Sequence, residues 1–262
     1  MEMKKTILAL AAFVLMAAPS FGWGREGHEA IAKIADAHLS PSAKKKIEKY
    51  LDNHSIVYWA KWMDDYRRTK EYGFTTKWHV LSVDENLAYV PDEQDGDAVY
   101  GINQAVGILK NYKDHPDSTV TVNLKYIIHL VGDMHCPSHI YYKGRNQNYY
   151  VDFGGGYVLP RQRMKIHTVW DQGAIKATRI WGLEDWLWEL DRLSPKEERR
   201  VVEGTLLDWV DDNAGRCLRQ FELSSTPEEN LAQDFVNEAM PLIETQILYA
   251  GYRLAAVLNS LF

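Results

Sequence analysis

Apolar residues recur at helical spacing over most of the chain. In GHEAIAKIADAHL (residues 27–39), alanines and isoleucines repeat at i, i+3 and i+4, the pattern of an amphipathic helix. Ser40 and Pro41 are typical of an N-cap with proline at the first helical position, which predicts a second helix through Leu51. The same reasoning predicts helices over residues 101–112, 121–135, 166–180, 195–221 and 226–261, the last opening with the capped sequence TPEEN. We therefore expect a mainly α fold.

Residues 140–163 depart from this pattern. They contain a turn at 143–148, the pattern YYVDF and a glycine run at 154–156, which together predict a short β-hairpin or excursion loop between helices. The glycine run lacks the strand-GxGxxG-helix context of a dinucleotide site. Since no repeat or linker divides the chain, we expect one multi-helical domain with a short β excursion.

The first 22 residues have the layout of a secretory signal. Lys4 and Lys5 precede an apolar stretch at 7–18, which is too short for a transmembrane helix, and small residues precede Trp23. We predict cleavage near Gly22–Trp23, a domain over residues 23–262, and export to the periplasm or beyond. The new α-amine could chelate a metal together with its own carbonyl oxygen, and His28 follows five residues later. An ordinary helix start after the signal is the alternative.

Composition indicates a globular protein and disfavours tracking along duplex nucleic acid. Nine Trp and fifteen Tyr exclude a disordered chain. The net charge of −6 disfavours binding through phosphate neutralisation, although metal ions could supply positive charge locally. Because exported proteins usually pair their cysteines, we hypothesise a disulfide between Cys136 and Cys217, the two cysteines of the chain.

Two histidine–aspartate pairs carry the strongest chemical pattern. In HLVGDMHCPSH, His129 and Asp133 are four residues apart and share a helix face, with His139 following; in IHTVWD, His167 and Asp171 repeat the spacing. Imidazole and carboxylate together suit zinc. The alternative is a surface ion pair on each helix. Because both pairs lie in apolar segments, where unpaired charge is unfavourable, metal binding is the better interpretation.

A further set of polar residues lies upstream. Asp64 and Arg67 are three residues apart and could reach one site on a helix, or belong to a solvated charged cluster; the sequence leaves both open. His79 lies in an apolar run, where a lone histidine is usually a core residue.

The motifs WGREGH, AKWMDDYR, TTKWHV, HLVGDMHCPSH and IHTVWD resemble, in order and spacing, those of the trinuclear-zinc, single-strand-specific nucleases and 3′-nucleotidases of the mung-bean-nuclease type. That family is related in fold to zinc-dependent phospholipase C, and the resemblance covers residues 23 to about 173. It implies three Zn²⁺ per chain. It also implies hydrolysis of single-stranded DNA and RNA to 5′-phosphorylated products, together with 3′-nucleotidase activity. We expect no stable membrane association, since no basic amphipathic helix is evident. We also expect a monomer.

The resemblance also implies the ligands of each zinc. The first pocket comprises Asp64, His79 and His129 with Asp133; the second comprises the Trp23 amine and carbonyl, His28 and the same Asp133 as a bridge; the third comprises His139, His167 and Asp171. Arg67 would face the transferred phosphate, Asp64 would orient water, and Asn148 would bind substrate. His38, His54, His115 and His135 match no ligand position.

Two departures from the family leave the substrate preference open. Val80 and Ser82 stand where the family has an aromatic and an acidic residue of its base pocket, and 146–148 align loosely with a Gly-Gly-Asn loop. Base preference and the choice between polymers and mononucleotides therefore do not follow from the motifs. A zinc-dependent phospholipase C and a non-catalytic zinc-binding exported protein are the alternative functions.

Overall fold

The computed structural model describes residues 23–154 and 160–262. The predicted signal at 1–22 lies outside the described residues, as do residues 155–159 of the predicted excursion. Within the described ranges, no helix combines the length and apolarity needed to cross a bilayer.

The first part of the chain is helical. Helix α1 spans Arg25–Ala37, α2 Pro41–Tyr50, α3 Ile56–Trp59 and α4 Trp62–Tyr66, and a 3₁₀ helix spans Gly73–His79. The Ser40 hydroxyl accepts the Ala43 N–H at 3.1 Å, which confirms the predicted N-cap of α2. The next pair, α5 (Ala98–Leu109) and α6 (Asp117–Asp133), pack against each other, with a 3₁₀ turn at Tyr112–Asp114 between them. Helix α5 begins earlier than predicted because the Asp97 carboxylate caps it, accepting the Tyr100 N–H at 2.9 Å.

Two small sheets lie beside these helices. In the first, β1 (Leu81–Val83) pairs antiparallel with β2 (Tyr89–Val90) and parallel with β3 (Ile140–Tyr142), which follows a 3₁₀ helix at Pro137–His139. In the second, β4 (Tyr150–Phe153) pairs antiparallel with β5 (Gln162–Lys165) and parallel with β6 (Asn230–Leu231). The predicted hairpin is therefore β4–β5, whereas β3 joins the other sheet.

The last part of the chain returns to helix. It comprises α7 (Ile166–Thr168), a π-helical turn (Val169–Gly173), α8 (Ala174–Thr178), α9 (Leu183–Leu190), α10 (Pro195–Val201), α11 (Leu206–Cys217), α12 (Arg219–Leu223) and α13 (Gln233–Leu261). The prediction of one helix over 195–221 is wrong, because Gly204 adopts φ +94° and Thr205 caps a new helix. The predicted start at 226 is also wrong, because Asn230 and Leu231 pair with β4 as a strand.

Helix α13 packs against α1, α6 and α8, and so joins the two ends of the chain. The backbones of α1 and α13 approach closely at Gly251, where an added Cβ would lie 2.6 Å from Ile34 Cγ2. Buried apolar residues from Trp23 to Leu261 form one hydrophobic cluster. The mainly α fold predicted from periodicity is confirmed.

Candidate metal centre

The parallel pairing of β1 with β3 brings two predicted ligands together. Leu81 lies opposite Ile140, so His79 and His139, each ending a 3₁₀ helix just before its strand, become neighbours. The His139 Nδ1–H donates to the His79 carbonyl at 2.5 Å. This bond leaves His139 Nε2 facing Asp171 Oδ1 at 3.3 Å.

Helix α6 carries two further predicted ligands. His129 and Asp133 share its buried face, with 3.2 Å between His129 Nε2 and Asp133 Oδ2. The His129 Nδ1–H donates to the Ala60 carbonyl at 2.8 Å. A backbone acceptor on one imidazole nitrogen fixes the tautomer and leaves the other nitrogen available, as is usual for metal-ligating histidines.

Asp133 is the centre of the cluster. Its fully buried carboxylate lies close to four imidazoles: His79 at 2.8 Å, His129 at 3.2 Å, His28 at 3.4 Å and His139 at 3.5 Å. Gly132 permits the approach of α1, because a Cβ there would lie 3.0 Å from His28 Nδ1. The structure therefore brings His28, His79 and His129 of the first two predicted pockets around Asp133 in one buried group.

Helix α4 resolves the choice between a shared site and a solvated cluster. The Asp64 side chain is 2% exposed whereas that of Asp65 is 53% exposed, and the Arg67 side chain is buried whereas Arg68 is exposed. Asp64 Oδ1 lies 3.5 Å from Arg67 Nε and 3.8 Å from His79 Nδ1. Asp64 and Arg67 therefore belong to the buried site, and their neighbours form the solvated face.

The third pocket also contains Cys136, which the resemblance did not include among its residues. His167 Nε2 lies 3.7 Å from Asp171 Oδ2, and its ring stacks on that of His139. Cys136 Sγ and Ser138 Oγ each lie 3.4 Å from Asp171 Oδ1. Only the C-x-x-H spacing of residues 136–139 could have indicated that Cys136 lies beside the predicted ligands.

The hypothesised disulfide is not formed. Cys136 and Cys217 are both buried free thiols. Cys136 faces Asp171, whereas Cys217 Sγ accepts from Gln246 Nε2 at 3.4 Å, so the two sulfurs have different partners.

The first described residue lies between two ligand-bearing segments. Trp23 is fully buried, and its indole N–H donates to the Gly132 carbonyl at 3.0 Å. The Gly24 N–H donates to the Asp171 carbonyl, also at 3.0 Å. The chain thus passes beside Asp133 and Asp171 at the point where cleavage is predicted.

Asn148 lies at the edge of this region. It is exposed, and its backbone N–H donates to Asn146 Oδ1. Its neighbours Asn146 and Gln147 line a small cavity together with His167. Its role toward substrate stays a prediction.

Charge and burial put most of the cluster in the protonation state that binds metal. Burial alone would raise the pKa of Asp133, but His129 and His139 hold that pKa well below its usual range. Burial lowers the pKa of His28 and of His167 to about 4, and it lowers the pKa of His79 as well. Despite its burial, the pKa of His139 is raised to about 9 by Asp133 and Asp171.

Several buried polar atoms of the cluster lack hydrogen-bond partners within the described residues. They are both ring nitrogens of His28, Asp64 Oδ1, His79 Nε2, Asp133 Oδ1 and Asp171 Oδ2. Leaving such groups unsatisfied is unfavourable, and a divalent cation would satisfy them. Within the cluster, three groups of ligand atoms could each hold an ion: His28, Asp64 and His129; His79, His129 and Asp133; and Cys136, His139 and Asp171. The donor set fits zinc.

Amide side chains from the C-terminal helices hold the loop between Asp133 and His139. Asn213 of α11 donates to the Met134 carbonyl at 3.0 Å, Gln246 of α13 to that of His135 at 2.9 Å, and Gln220 of α12 to that of Pro137 at 2.8 Å. No sequence motif marks these three residues, because the carbonyls they bind lie more than 70 positions away.

Fold and site together define a mainly helical protein whose buried histidines and aspartates could bind metal ions at several points. The family model described as S1/P1 Nuclease matches residues 23–262, and the chain belongs to this family. It is 24% identical to Nuclease S1 of Aspergillus oryzae, over 95% of each chain. It is 23% identical to Endonuclease 4 of Arabidopsis thaliana, over 92% of this chain and 89% of the relative. Its identity to Nuclease P1 of Penicillium citrinum is also 23%, over 91% and 97%.

Proposed function

We propose that this protein is a zinc-dependent nuclease that hydrolyses single-stranded DNA and RNA to 5′-phosphorylated products and removes 3′-phosphates from mononucleotides. The observation that carries the proposal is the buried Asp133 carboxylate, which lies within 3.5 Å of four imidazoles. Membership of the S1/P1 nuclease family and relatives named nuclease and endonuclease support the reaction class.

The three pockets would hold the zinc ions, with Asp133 shared by the first and second. When bound, zinc supplies Lewis acidity toward phosphoryl oxygens and yields a nucleophile from water near neutral pH. The protein keeps the donors in place through the Ala60 and His79 carbonyls, which fix the orientations of His129 and His139. Burial of the whole cluster strengthens its electrostatic interactions.

Arg67 and Asp64 have complementary roles in this proposal. The Arg67 guanidinium binds the phosphoryl oxygens of the substrate, and its charge stabilises the negative charge that develops in the transition state. Asp64, 3.5 Å from Arg67 Nε, orients both the guanidinium and the attacking water.

Aromatic residues beside the site support a preference for single strands. Tyr66 is 44% exposed on the same short helix as Asp64, and its ring stacks on that of Trp62. Tyr141 is part-exposed two residues after His139. Unpaired bases can stack on such rings, whereas bases inside a duplex cannot.

Substrate assays on matched variants test the proposal. Purified protein is incubated with single-stranded DNA, the same sequence as a duplex, RNA, 3′-AMP and phosphatidylcholine, before and after chelation and zinc addition. We expect zinc-restored release of 5′-phosphorylated products from single strands. Asp64→Asn should abolish turnover, whereas Asp65→Asn, on the exposed face of the same helix, should retain it.

The alternatives give different results in these assays. Hydrolysis of phosphatidylcholine without nucleotide release would identify a phospholipase C. A full zinc content without turnover of any phosphoester would identify a non-catalytic zinc-binding protein. Either result overturns the proposal.

A further inference from the structure

The Cys136 thiol lies inside the third pocket. Its Sγ is 3.4 Å from Asp171 Oδ1 and 3.3 Å from Ser138 Oγ. Ligand atoms of Cys136, His139 and Asp171, all buried, lie within 4.8 Å of one another. The sulfur is therefore placed among predicted metal ligands, and it forms no disulfide with the other thiol of the chain.

Asp171 gives an independent indication that a ligand belongs here. Its side chain is fully buried, and its Oδ2 has no hydrogen-bond partner within the described residues. Its other oxygen already faces Cys136 and Ser138. A buried carboxylate of this kind calls for a cation.

The distances match the edges of a tetrahedral zinc site. Zinc bonds of about 2.3 Å to sulfur and about 2.0 Å to nitrogen and oxygen place S and O about 3.5 Å apart and N and O about 3.3 Å apart. Here Cys136 Sγ lies 3.4 Å from Asp171 Oδ1, and His139 Nε2 lies 3.3 Å from the same oxygen.

The local backbone holds the thiol in this position. Pro137 opens the 3₁₀ helix that ends at His139, and the His139 N–H donates to the Cys136 carbonyl at 3.0 Å. Gln220 holds the Pro137 carbonyl from the other side. Cys136 and His139 thus lie on the same side of one short, anchored turn.

We propose that Cys136 is a metal ligand of the third pocket, which binds a borderline or soft divalent cation through sulfur, nitrogen and oxygen. The proposal rests on the proposed zinc-dependent function and adds a thiolate to it. On binding, the Sγ–H proton leaves to solvent and the sulfur electron pair forms the bond to the cation. With His139, His167 and Asp171, the pocket offers four protein donors, the number found in closed structural zinc sites.

Cobalt substitution tests the proposal without relying on catalysis. Co²⁺ replaces the native metal in the protein that begins at Trp23, and the absorption spectrum of the cobalt protein is recorded. Thiolate ligation of Co²⁺ gives a near-ultraviolet charge-transfer band that imidazole and carboxylate ligands do not give. We expect this band in the wild type and in Cys217→Ser, where Cys136 is the only thiol left. Cys136→Ser should lose the band while keeping the visible cobalt bands.

The spectrum distinguishes a Cys136 thiolate ligand from a Cys136 thiol that only donates a hydrogen bond to Asp171. A loss of metal affinity in Cys136→Ser would not distinguish them, because removing an outer-shell hydrogen bond also lowers affinity by about 10–100-fold. If Cys136→Ser does not fold, the band in Cys217→Ser still assigns the thiolate. Bound cobalt without the band in the wild type would overturn the proposal and leave Cys136 as a hydrogen-bond donor to Asp171. A protein that binds no metal would overturn the proposed function itself.

Discussion

At the scale of single residues, Asp133 has the largest expected effect on metal binding. Asp133→Asn keeps the side-chain shape but removes the charge that four imidazoles face. Because the first and second pockets share this carboxylate, we expect both to lose zinc and nuclease activity to fall by about 100-fold or more. Metal analysis and a single-strand cleavage assay measure the two effects.

Asp97→Asn is the matched control for that change. Asp97 is also buried, but its carboxylate caps α5 and accepts from the Tyr89 hydroxyl. Because asparagine caps a helix about as well as aspartate, the main loss is the charge of the acceptor for the Tyr89 hydroxyl. We expect this loss to lower the free energy of unfolding by about 1 kcal/mol and to leave the zinc content intact. Equal zinc loss in both variants would mean that misfolding, and not ligand loss, explains the effect of Asp133→Asn.

The titration of His139 predicts a pH dependence of zinc uptake. Despite burial, Asp133 and Asp171 raise its pKa to about 9 in the metal-free protein. Its Nδ1–H is held by the His79 carbonyl, so the proton at Nε2 must leave before a cation binds there. Loss of this proton should therefore make zinc affinity at the third pocket rise with pH up to about 9, by up to about tenfold per pH unit. The slope is measured in Cys136→Ser, so that release of the thiol proton does not add to it.

Competition titrations between about pH 6 and pH 8 measure that slope. His28 and His167, whose pKa values are about 4, are already neutral over this range and contribute no slope. An affinity that does not change with pH would show that His139 carries no proton at Nε2 in the metal-free protein.

The sequence predicted which residues are candidate ligands better than it predicted which side chains are buried. His129 and Asp133 followed from i, i+4 spacing on one helix, which is a local property. Asp64 and Asp65 could not be separated by composition, because only the orientation of α4 decides which of them is buried. The same limit applied to Cys136, whose contact with Asp171 joins positions 35 residues apart.

At the scale of secondary-structure elements, the same division between local and distant interactions holds. Helices α1, α2, α5 and α6 followed from periodicity and caps. The start of α13 did not, because Asn230 and Leu231 pair with a strand almost 80 positions earlier. The parallel pairing of β1 with β3, which joins His79 to His139, likewise depends on contacts across about 60 positions.

The contact between α1 and α13 gives a prediction for stability. A Cβ at Gly251 would lie 2.6 Å from Ile34 Cγ2 and 3.3 Å from the Ile31 carbonyl oxygen. Gly251→Ala should therefore force the two helices apart and lower the free energy of unfolding by about 1–3 kcal/mol, as measured by urea unfolding.

Gly215→Ala is the control for this substitution. Gly215 lies within α11, and no atom lies within 4 Å of the Cβ that alanine would add. Alanine should raise the free energy of unfolding by up to about 1 kcal/mol through helix propensity alone. We expect the change in the free energy of unfolding to have opposite signs in the two variants. A stabilised Gly251→Ala would mean that α1 and α13 separate easily.

At the scale of the whole molecule, the candidate metal centre joins distant parts of the chain. His28 lies on α1, Asp64 on α4, Asp133 on α6 and Asp171 on the π-helical turn. An ion that binds only the folded protein adds about 2.7 kcal/mol of stability at a concentration 100 times its Kd. Chelation should therefore lower the Tm measured by calorimetry, and zinc should restore it.

The Asp133→Asn variant provides the comparison for chelation. Because it lacks the shared ligand, chelation should shift its Tm much less than that of the wild type. Equal shifts in both proteins would mean that the stabilising ions bind elsewhere.

The predicted start of the mature chain would determine whether the second pocket is complete. Trp23 is buried with its indole N–H on the Gly132 carbonyl, next to Asp133. Cleavage before Trp23 would release an α-amine with a free electron pair, whereas a preceding residue ties up that pair in a peptide bond. We expect protein beginning at Trp23 to hold three zinc ions and protein beginning at Gly22 to hold two, as measured by intact-mass and metal analysis. Trp23→Phe, with the same terminus, separates chelation from packing. It should lose the indole hydrogen bond and part of the buried ring, lowering the free energy of unfolding by about 1–3 kcal/mol, but keep all three ions. Three ions in the Gly22 form would exclude the α-amine as a ligand.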